Sequence, residues 1–264
     1  MSPYGTERPF RRPTRRPFRG SIRTAASAVA ALTLLLGLSA ATGSAAYAKE
    51  PTTRAAAPAA TSAPANAKAV TVRGGNVLYH SSGVRCTIGF NASGAVGRVG
   101  LLPKVCAQIG GNWYADSART VLVATSTGVL LPTDNYDLGI VRYVSSTTVN
   151  PVGEVSLLGA GTLDITGAAS PAVGQRLCHV GVTSGVRCGS VTGVNLTVNF
   201  PQGTVYGLFR SNICSEPGDL GGPAYSGSVA LGVIVASSGN CTSGGATYYQ
   251  PVLPWLSTYG VTVY

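Results

Sequence analysis

Residues 214–227 read CSEPGDLGGPAYSG, and this glycine-rich turn, with the short runs around it, decides the fold class. Glycine, serine, asparagine and proline separate short runs rich in β-branched residues, which lie at residues 121–123, 139–143, 196–200 and 229–235. Such runs, bounded by turn residues, are typical of β-strands. A short helix is predicted only over residues 254–259. The pattern predicts an all-β protein, built as a barrel or as a sandwich.

The first 48 residues differ sharply from the rest of the 264-residue chain. Residues 1–23 contain seven arginines and one glutamate, an apolar run covers residues 25–38, and Ala-Tyr-Ala follows at residues 46–48. These features predict an export signal over residues 1–48 and therefore a secreted protein. A membrane helix is the alternative, but the apolar run is short for a span. Thr-Arg-Arg-Pro-Phe at residues 14–18 leaves the twin-arginine and the general export routes both open.

The net charge of +10 is concentrated ahead of the folded part. From Val70 onward, nine Lys and Arg stand against seven Asp and Glu, spread thinly along the chain. No basic stripe is left to hold phosphates, so nucleic acid is not an expected partner. Residues 49–71, mostly Ala, Pro, Thr and Ser, predict a disordered leader. Roughly 190 residues follow, enough for one domain or two small ones.

Cysteine use fits an exported chain. All six cysteines lie after the leader, at positions 86, 106, 178, 188, 214 and 241. An even number in an exported protein predicts disulfides, although spacing alone does not choose among the possible pairings. Zinc is the competing use, but the chain has no C-x-x-C pair and only two histidines. We therefore expect neither a metal nor any other cofactor.

Several segments together resemble the streptogrisins, secreted bacterial serine endopeptidases related to α-lytic protease. The matching segments are residues 73–76, 86–90, 113–120, 139–143, 214–227, 249–252 and 259–264. The resemblance implies the chymotrypsin-like fold, with one six-stranded antiparallel β-barrel over residues 72–150 and a second over residues 151–264. It also implies disulfides that join Cys86 to Cys106, Cys178 to Cys188 and Cys214 to Cys241.

The resemblance also locates the three positions of a Ser-His-Asp triad, in which serine attacks, histidine takes its proton and aspartate orients the histidine. The serine position is occupied by Leu220 and the histidine position by Val105, whereas Asp137 retains the aspartate. Asp134 is a weaker candidate for that aspartate. Neither valine nor leucine has a lone pair, and loss of the nucleophile or the base costs a triad enzyme about 10⁶ in turnover.

The two histidines are not expected to replace the missing base. His80 lies in Tyr-His-Ser-Ser-Gly, which predicts an exposed turn. His179 follows Cys178, where the family has an arginine that pairs with the aspartate before the serine, here Asp219. We expect His179 to contact Asp219 and its pKa to rise; a simply exposed histidine is the alternative.

The substrate groove is also altered. The oxyanion hole, formed by the backbone N–H groups of Gly218 and Leu220, does not depend on side chains and is expected to persist. The Ser-Gly-Gly strand edge on which the family binds substrate reads Val235, Ala236 and Ser237 here. Two explanations stay open, neutral drift or a groove reshaped for another partner.

The sequence thus predicts a secreted streptogrisin homologue without the catalytic serine and histidine. We expect it not to be an enzyme but a pseudoprotease that acts as a binding or decoy protein for an unknown protein or peptide. We also expect a monomer that does not associate with membranes once the signal is removed. The alternative is a serine-type endopeptidase with residual or altered activity.

Overall fold

The computed structural model describes residues 68–126, 137–201 and 203–264. The predicted export signal, most of the predicted leader and Asp134 lie outside the described residues. The elements are β1 (Val70–Gly74), β2 (Val77–His80), β3 (Arg85–Thr87), β4 (Asn91–Gly94), β5 (Gly97–Pro103), α1 (Lys104–Ala107), β6 (Gly111–Tyr114), β7 (Leu122–Ser126), β8 (Leu138–Tyr143), β9 (Val149–Ser156), β10 (Thr162–Asp164), β11 (Gly167–Ala168), β12 (Arg176–Gly181), β13 (Gly185–Phe200), β14 (Gly203–Ser211), β15 (Pro223–Ser226), β16 (Val229–Asn240), β17 (Gly244–Pro251), α2 (Val252–Tyr259) and β18 (Val261–Val263).

The C-terminal half contains a closed ring of six strands. The strands lie in the order β16, β15, β12, β13, β14 and β17, and pairing between β16 and β17 closes the ring. Closure removes the unpaired edges that an open sheet would leave. The interior packs Leu177, Phe209, Leu231 and Tyr249. Gly232 makes room for this core, because a Cβ atom there would lie 2.4 Å from the Phe209 ring.

The N-terminal half is an antiparallel sheet in the order β18, β4, β5, β8, β7, β6, β2 and β3. Its core includes Leu78, Trp113, Val123 and Val141, all buried. A small third sheet joins β10 to β9 and pairs β9 with β1 in parallel. The architecture is the all-β, two-barrel, chymotrypsin-like fold that the resemblance implies. The boundary between residues 150 and 151 remains a prediction, and β9 runs across it.

The second helix connects β17 of the C-terminal half to β18 of the N-terminal sheet. It begins at Val252, earlier than the expected residue 254, because Pro254 then lies in the first turn, where its missing N–H is not needed. Gly260, with φ 60°, ends the helix in the left-handed region. The indole N–H of Trp255 donates to the carbonyl of Leu138 over 3.1 Å, which fixes the start of β8. Among residues 68–126, 137–201 and 203–264, neither helix has the length and apolar character needed to cross a membrane.

Three disulfides are formed, and they are the pairs that the resemblance implies. Cys86 is bonded to Cys106, Cys178 to Cys188, and Cys214 to Cys241. The first lies in the N-terminal half, where it anchors α1 to β3. The third ties the turn before residue 220 to the end of β16.

Candidate active-site cleft

Residues of both halves line a cleft of about 470 Å³, which we call the central cleft. It brings together the three triad-equivalent residues, Val105, Asp137 and Leu220, with Val235 of the altered strand edge. The remaining lining residues are Lys104, Gln108, Phe200, Gly203, Thr204 and Val205. Residues far apart in the sequence therefore line one cleft, and the equivalence of three of them to a catalytic triad remains a prediction.

Asp137 enters the cleft from the residue just before β8. Its backbone is held on both sides: its N–H donates to Oε1 of Gln250 over 3.0 Å, and its carbonyl accepts the N–H of Lys104 over 3.1 Å. Burial raises the pKa of its carboxyl to about 6, and the charge of Lys104 offsets only part of this effect.

Apolar side chains line the cleft at the two other triad-equivalent positions. Val105, on α1, is 57% exposed, and Leu220 is half-buried. Val235 on β16 is buried beside them. The cleft therefore offers an apolar surface where a triad enzyme has a hydroxyl and an imidazole.

The turn that carries Leu220 is built around the buried carboxylate of Asp219. The N–H groups of Thr183 and Glu216 donate to it over 2.8 and 2.7 Å. Burial alone would raise the pKa of Asp219, but hydrogen bonds from Glu216, Ser184 and Thr183 outweigh it and lower the pKa. These bonds fix the backbone around residue 220 whatever its side chain is.

The expected oxyanion hole depends on this backbone. Gly218 has φ 105°, a conformation that favours glycine. Within the described parts of the chain, the N–H groups of Gly218 and Leu220 donate to no other protein group. Both donors are thus available, and their role as an oxyanion hole remains a prediction.

The expected rise in the pKa of His179 is wrong, and His179 makes no hydrogen bond to Asp219 in the part of the chain that the structure describes. His179 is fully buried, and its Nδ1 lies 2.8 Å from the hydroxyl of Tyr249, which is also 2.8 Å from the hydroxyl of Ser211. Burial lowers the pKa of His179 to about 4, and the charge of Asp219 raises it by less. Backbone N–H groups satisfy Asp219 instead, so the imidazole remains neutral and belongs to the core.

The expectation of an exposed turn at His80 is also wrong, because the side chain is 4% exposed. Nε2 lies 2.6 Å from the carbonyl of Gly110, which can only accept, so Nε2 carries the proton. Nδ1 accepts the N–H of Ser82 over 3.1 Å, and the ring packs against Trp113. His80 therefore stabilises the N-terminal half and is not among the residues of the central cleft.

The altered strand edge continues from the cleft along β16. Along one edge of β16, Ala236 pairs with Tyr248 and Ser237 pairs with Thr247 of β17. The side chain of Ser237 is exposed. Beneath this edge, the hydroxyl of Thr247 donates to the hydroxyl of Ser215 over 3.1 Å. The turn before residue 220 is therefore bonded directly to the barrel wall next to the edge.

Sequence reasoning missed part of the lining. The tip of the β13–β14 hairpin contributes Phe200, Thr204 and Val205, and the residue that follows α1 contributes Gln108. Nothing in the local sequence marks the hairpin residues, because they reach the cleft only through the pairing of two long strands. Gln250, which holds the backbone of Asp137, lies in a segment that was noted only for its similarity to the family.

Several known proteins resemble this chain in sequence or in structure. No protein-family profile matches the chain. Streptogrisin-A of Streptomyces griseus is 41% identical over 193 residues, which are 73% of this chain and 61% of that protein. Glutamyl endopeptidase 2 of the same organism is 42% identical over 193 residues, 73% of this chain and 100% of that protein. The solved structure of alpha-lytic protease homolog N4 is 45% identical, has a TM-score of 0.67, and is matched over 74% of this chain and 100% of its own.

These relatives correct the expectation that the chain is not an enzyme. Streptogrisin-A, glutamyl endopeptidase 2 and serine protease 2 of Streptomyces fradiae are 41%, 42% and 39% identical, and all are named as proteolytic enzymes or by a protease family name. Similarity at this level connects the chain with enzymes. The residues at positions 105 and 220 are therefore not sufficient ground for removing it from that class.

Proposed function

This chain belongs to the streptogrisin family of chymotrypsin-fold serine endopeptidases, and from that premise we propose that its central cleft binds an extended polypeptide segment outside the cell. The observation that carries the proposal is the cleft itself. Apolar side chains line it at positions 105, 220 and 235, and the strand continues from Val235 into half-buried Ala236 and exposed Ser237. The bound segment would belong to another protein, for which this chain serves as a binding or decoy partner.

The strand edge supports binding of an extended chain. Beyond Ile234, one side of β16 is paired with β17, and the opposite side is not paired with another strand among the described residues. An added strand can exchange main-chain hydrogen bonds with such an edge. Each bond contributes about 0.5–1.5 kcal/mol net, so the edge orients a ligand more than it determines the affinity.

The apolar lining supplies the rest of the attraction. Burying one leucine- or phenylalanine-sized side chain contributes about 1.5–3 kcal/mol. Immobilising a flexible peptide opposes binding, because several kcal/mol of translational, rotational and side-chain entropy are lost. We therefore expect micromolar to millimolar dissociation constants for short peptides, and tighter binding for a segment held rigidly in a folded partner.

Peptide hydrolysis is the second candidate function, favoured by the proteases to which the chain is related. Asp137 and the N–H groups of Gly218 and Leu220 are features that a hydrolase could use. Binding in the cleft is proposed irrespective of whether a bond is subsequently broken. The peptide-binding experiment described next distinguishes binding alone from hydrolysis if the peptide is recovered afterwards and its mass is measured.

Fluorescence anisotropy of labelled hexapeptides with the secreted protein tests the proposal. Val105→Arg places a charged, long side chain at the cleft and should weaken binding at least tenfold. Val173→Arg is the matched control, because Val173 is 64% exposed and is not among the cleft-lining residues. Equal affinities of the two variants, or no binding by the parent protein, would contradict the proposal.

A further inference from the structure

We propose that a pocket on the outer face of the C-terminal barrel binds a small carboxylic acid in its ionised form, with Arg176 and the hydroxyl of Tyr225 as donors to the carboxylate. This pocket, which we call the outer pocket, has a volume of about 140 Å³ and shares no lining residue with the central cleft. The disulfide between Cys178 and Cys188 forms part of its wall. The inference is therefore independent of the proposed function.

Strand pairing brings the side chains of the outer pocket onto one face of the barrel. Cys178 of β12 is paired with Cys188 of β13 on one side and with Tyr225 of β15 on the other. Directly paired residues place their side chains on the same face of a sheet, and so does Arg176, two residues before Cys178. Leu177, which lies between them, packs into the barrel core, so the shared face is the outer one.

The hydroxyl of Tyr225 is a donor without a partner. Tyr225 lines the outer pocket although it is only 6% exposed. In the described part of the chain, no hydrogen bond joins its hydroxyl to another group. At Tyr249, a hydrogen bond with Ser211 offsets part of the rise in pKa that burial causes, whereas burial is the single cause of the raised pKa of Tyr225. A ligand acceptor in the pocket would satisfy this buried hydroxyl and remove the cost of leaving it unpaired.

The guanidinium of Arg176 supplies the positive charge. Arg176 is exposed and forms neither an ion pair nor a hydrogen bond with another described residue. Among the described residues that line the outer pocket, no other is charged. A guanidinium binds a carboxylate through two parallel N–H donors, and Tyr225 adds a third donor. One positive charge matches a carboxylate better than a phosphate dianion, whose second charge would have no partner here.

The rest of the wall selects the body of the acid. The disulfide offers an apolar surface, and a Cβ atom at Gly227 would meet nothing within 4 Å, so the pocket is open there. The pocket volume is close to that of an engineered cavity of about 150 Å³ that holds benzene. We therefore expect an acid with a single ring, such as benzoate. Because Cys178 is paired on both sides, the main chain of a longer peptide finds no free strand edge here, which favours a free acid.

Titration of the isotope-labelled protein with benzoate, followed by two-dimensional NMR, tests the inference. At pH 7 and low ionic strength, benzoate is ionised and its attraction to an exposed arginine is little screened. The backbone N–H signals of Cys188, Ser226 and Gly227 should shift, with a dissociation constant of about 1–10 mM, as expected for so small a ligand in an open pocket. Benzamide, which has the same shape without the charge, should bind at least about tenfold more weakly.

Two variants locate the carboxylate. Tyr225→Phe removes only the hydroxyl and should weaken benzoate binding about fivefold to tenfold, as expected for the loss of a hydrogen bond to a charged group. Arg176→Gln removes the charge and should weaken binding at least about tenfold. Tyr206→Phe and Arg85→Gln are the matched controls, because both residues are exposed and neither lines the outer pocket. Both controls should bind benzoate as the parent does.

Several results would overturn the inference. These are the absence of any shift at the three signals, equal binding of benzamide and benzoate, and benzoate binding that Tyr225→Phe leaves unchanged. Tighter binding of phosphate than of benzoate would overturn the choice of a carboxylate. Tighter binding of a tetrapeptide that ends in phenylalanine would overturn the assignment to a free acid. None of these results bears on the central cleft, and Tyr225→Phe should bind the labelled hexapeptides as the parent does.

Discussion

Gln250 Oε1 accepts the backbone N–H of Asp137 over 3.0 Å, and this bond joins β17 of the C-terminal barrel to the start of β8 in the N-terminal half. Gln250 is fully buried, and its Nε2 has no partner among the described residues. One side-chain oxygen therefore positions the carboxyl that the cleft presents to a ligand.

Gln250→Leu should destabilise the protein by about 1–2 kcal/mol. The substitution leaves a buried N–H without an acceptor, which costs about 1–3 kcal/mol, and removal of the unpartnered Nε2 offsets part of that cost. Chemical denaturation measures the difference. Gln108→Leu, at an exposed glutamine of the same cleft, should stay within about 0.5 kcal/mol of the parent. Equal effects of the two substitutions would contradict this role for Gln250.

His179→Leu should gain stability relative to the parent as the pH falls from 6.5 to 4. The folded pKa of His179 is lowered from 6.5 to about 4, so in this window the unfolded chain binds a proton that the folded chain does not. The parent therefore loses stability on acidification, by about 3 kcal/mol in total from this group. The variant lacks that loss. Denaturation curves at several pH values measure the difference in the free energy of unfolding between the variant and the parent. If that difference does not change with pH, the burial of a neutral imidazole is contradicted.

Asp137→Asn should show the opposite trend. The folded pKa of Asp137 is raised from 3.8 to about 6, so the folded parent binds the extra proton between these values. The parent gains stability as the pH falls through 6, by about 3 kcal/mol at most, and the variant does not. The advantage of the variant over the parent should thus be greatest near pH 7 and shrink on acidification. A constant difference would mean that this carboxyl is well solvated.

The all-β class was predictable from the sequence, because strand-like runs bounded by turn residues are local features. Positions 105, 137 and 220 were located by the resemblance to the streptogrisins, because no local pattern marks them. The states of His80 and His179 were not predictable. Whether a histidine is exposed depends on what packs over it, and Trp113 and Tyr249 lie 33 and 70 residues away in the chain. The expectation that the chain is not an enzyme was wrong. It relied on the side chains at positions 105 and 220 and gave less weight to the sequence similarity to proteases over the whole fold.

Restoring the triad should reveal how much of the groove still accepts a substrate. Val105→His with Leu220→Ser places the nucleophile and the base beside Asp137, and hydrolysis of a chromogenic tetrapeptide should rise slightly above the parent. The increase should be small, because side chains at positions 235–237 occupy the edge on which the scissile bond must be held. Val235→Ser, Ala236→Gly and Ser237→Gly, added together, should then raise the rate much further. Each single triad substitution should have little effect, since these residues act as a unit.

The contrary outcome is also informative. If the double variant already cleaves as fast as the variant with five substitutions, the strand edge does not obstruct an extended peptide. The altered edge would then have no bearing on which ligand the cleft accepts.

Hydrogen exchange of the peptide complex tests most directly whether an extended polypeptide binds in the central cleft. Mass spectrometry of the protein, with and without a saturating hexapeptide, reports the protection of each backbone segment. We predict slower exchange in residues 235–240 of β16 and in the turn around Leu220, with little change in the core strands, which are already protected. Binding that leaves both segments unchanged, or that protects a surface away from the cleft, would contradict the account.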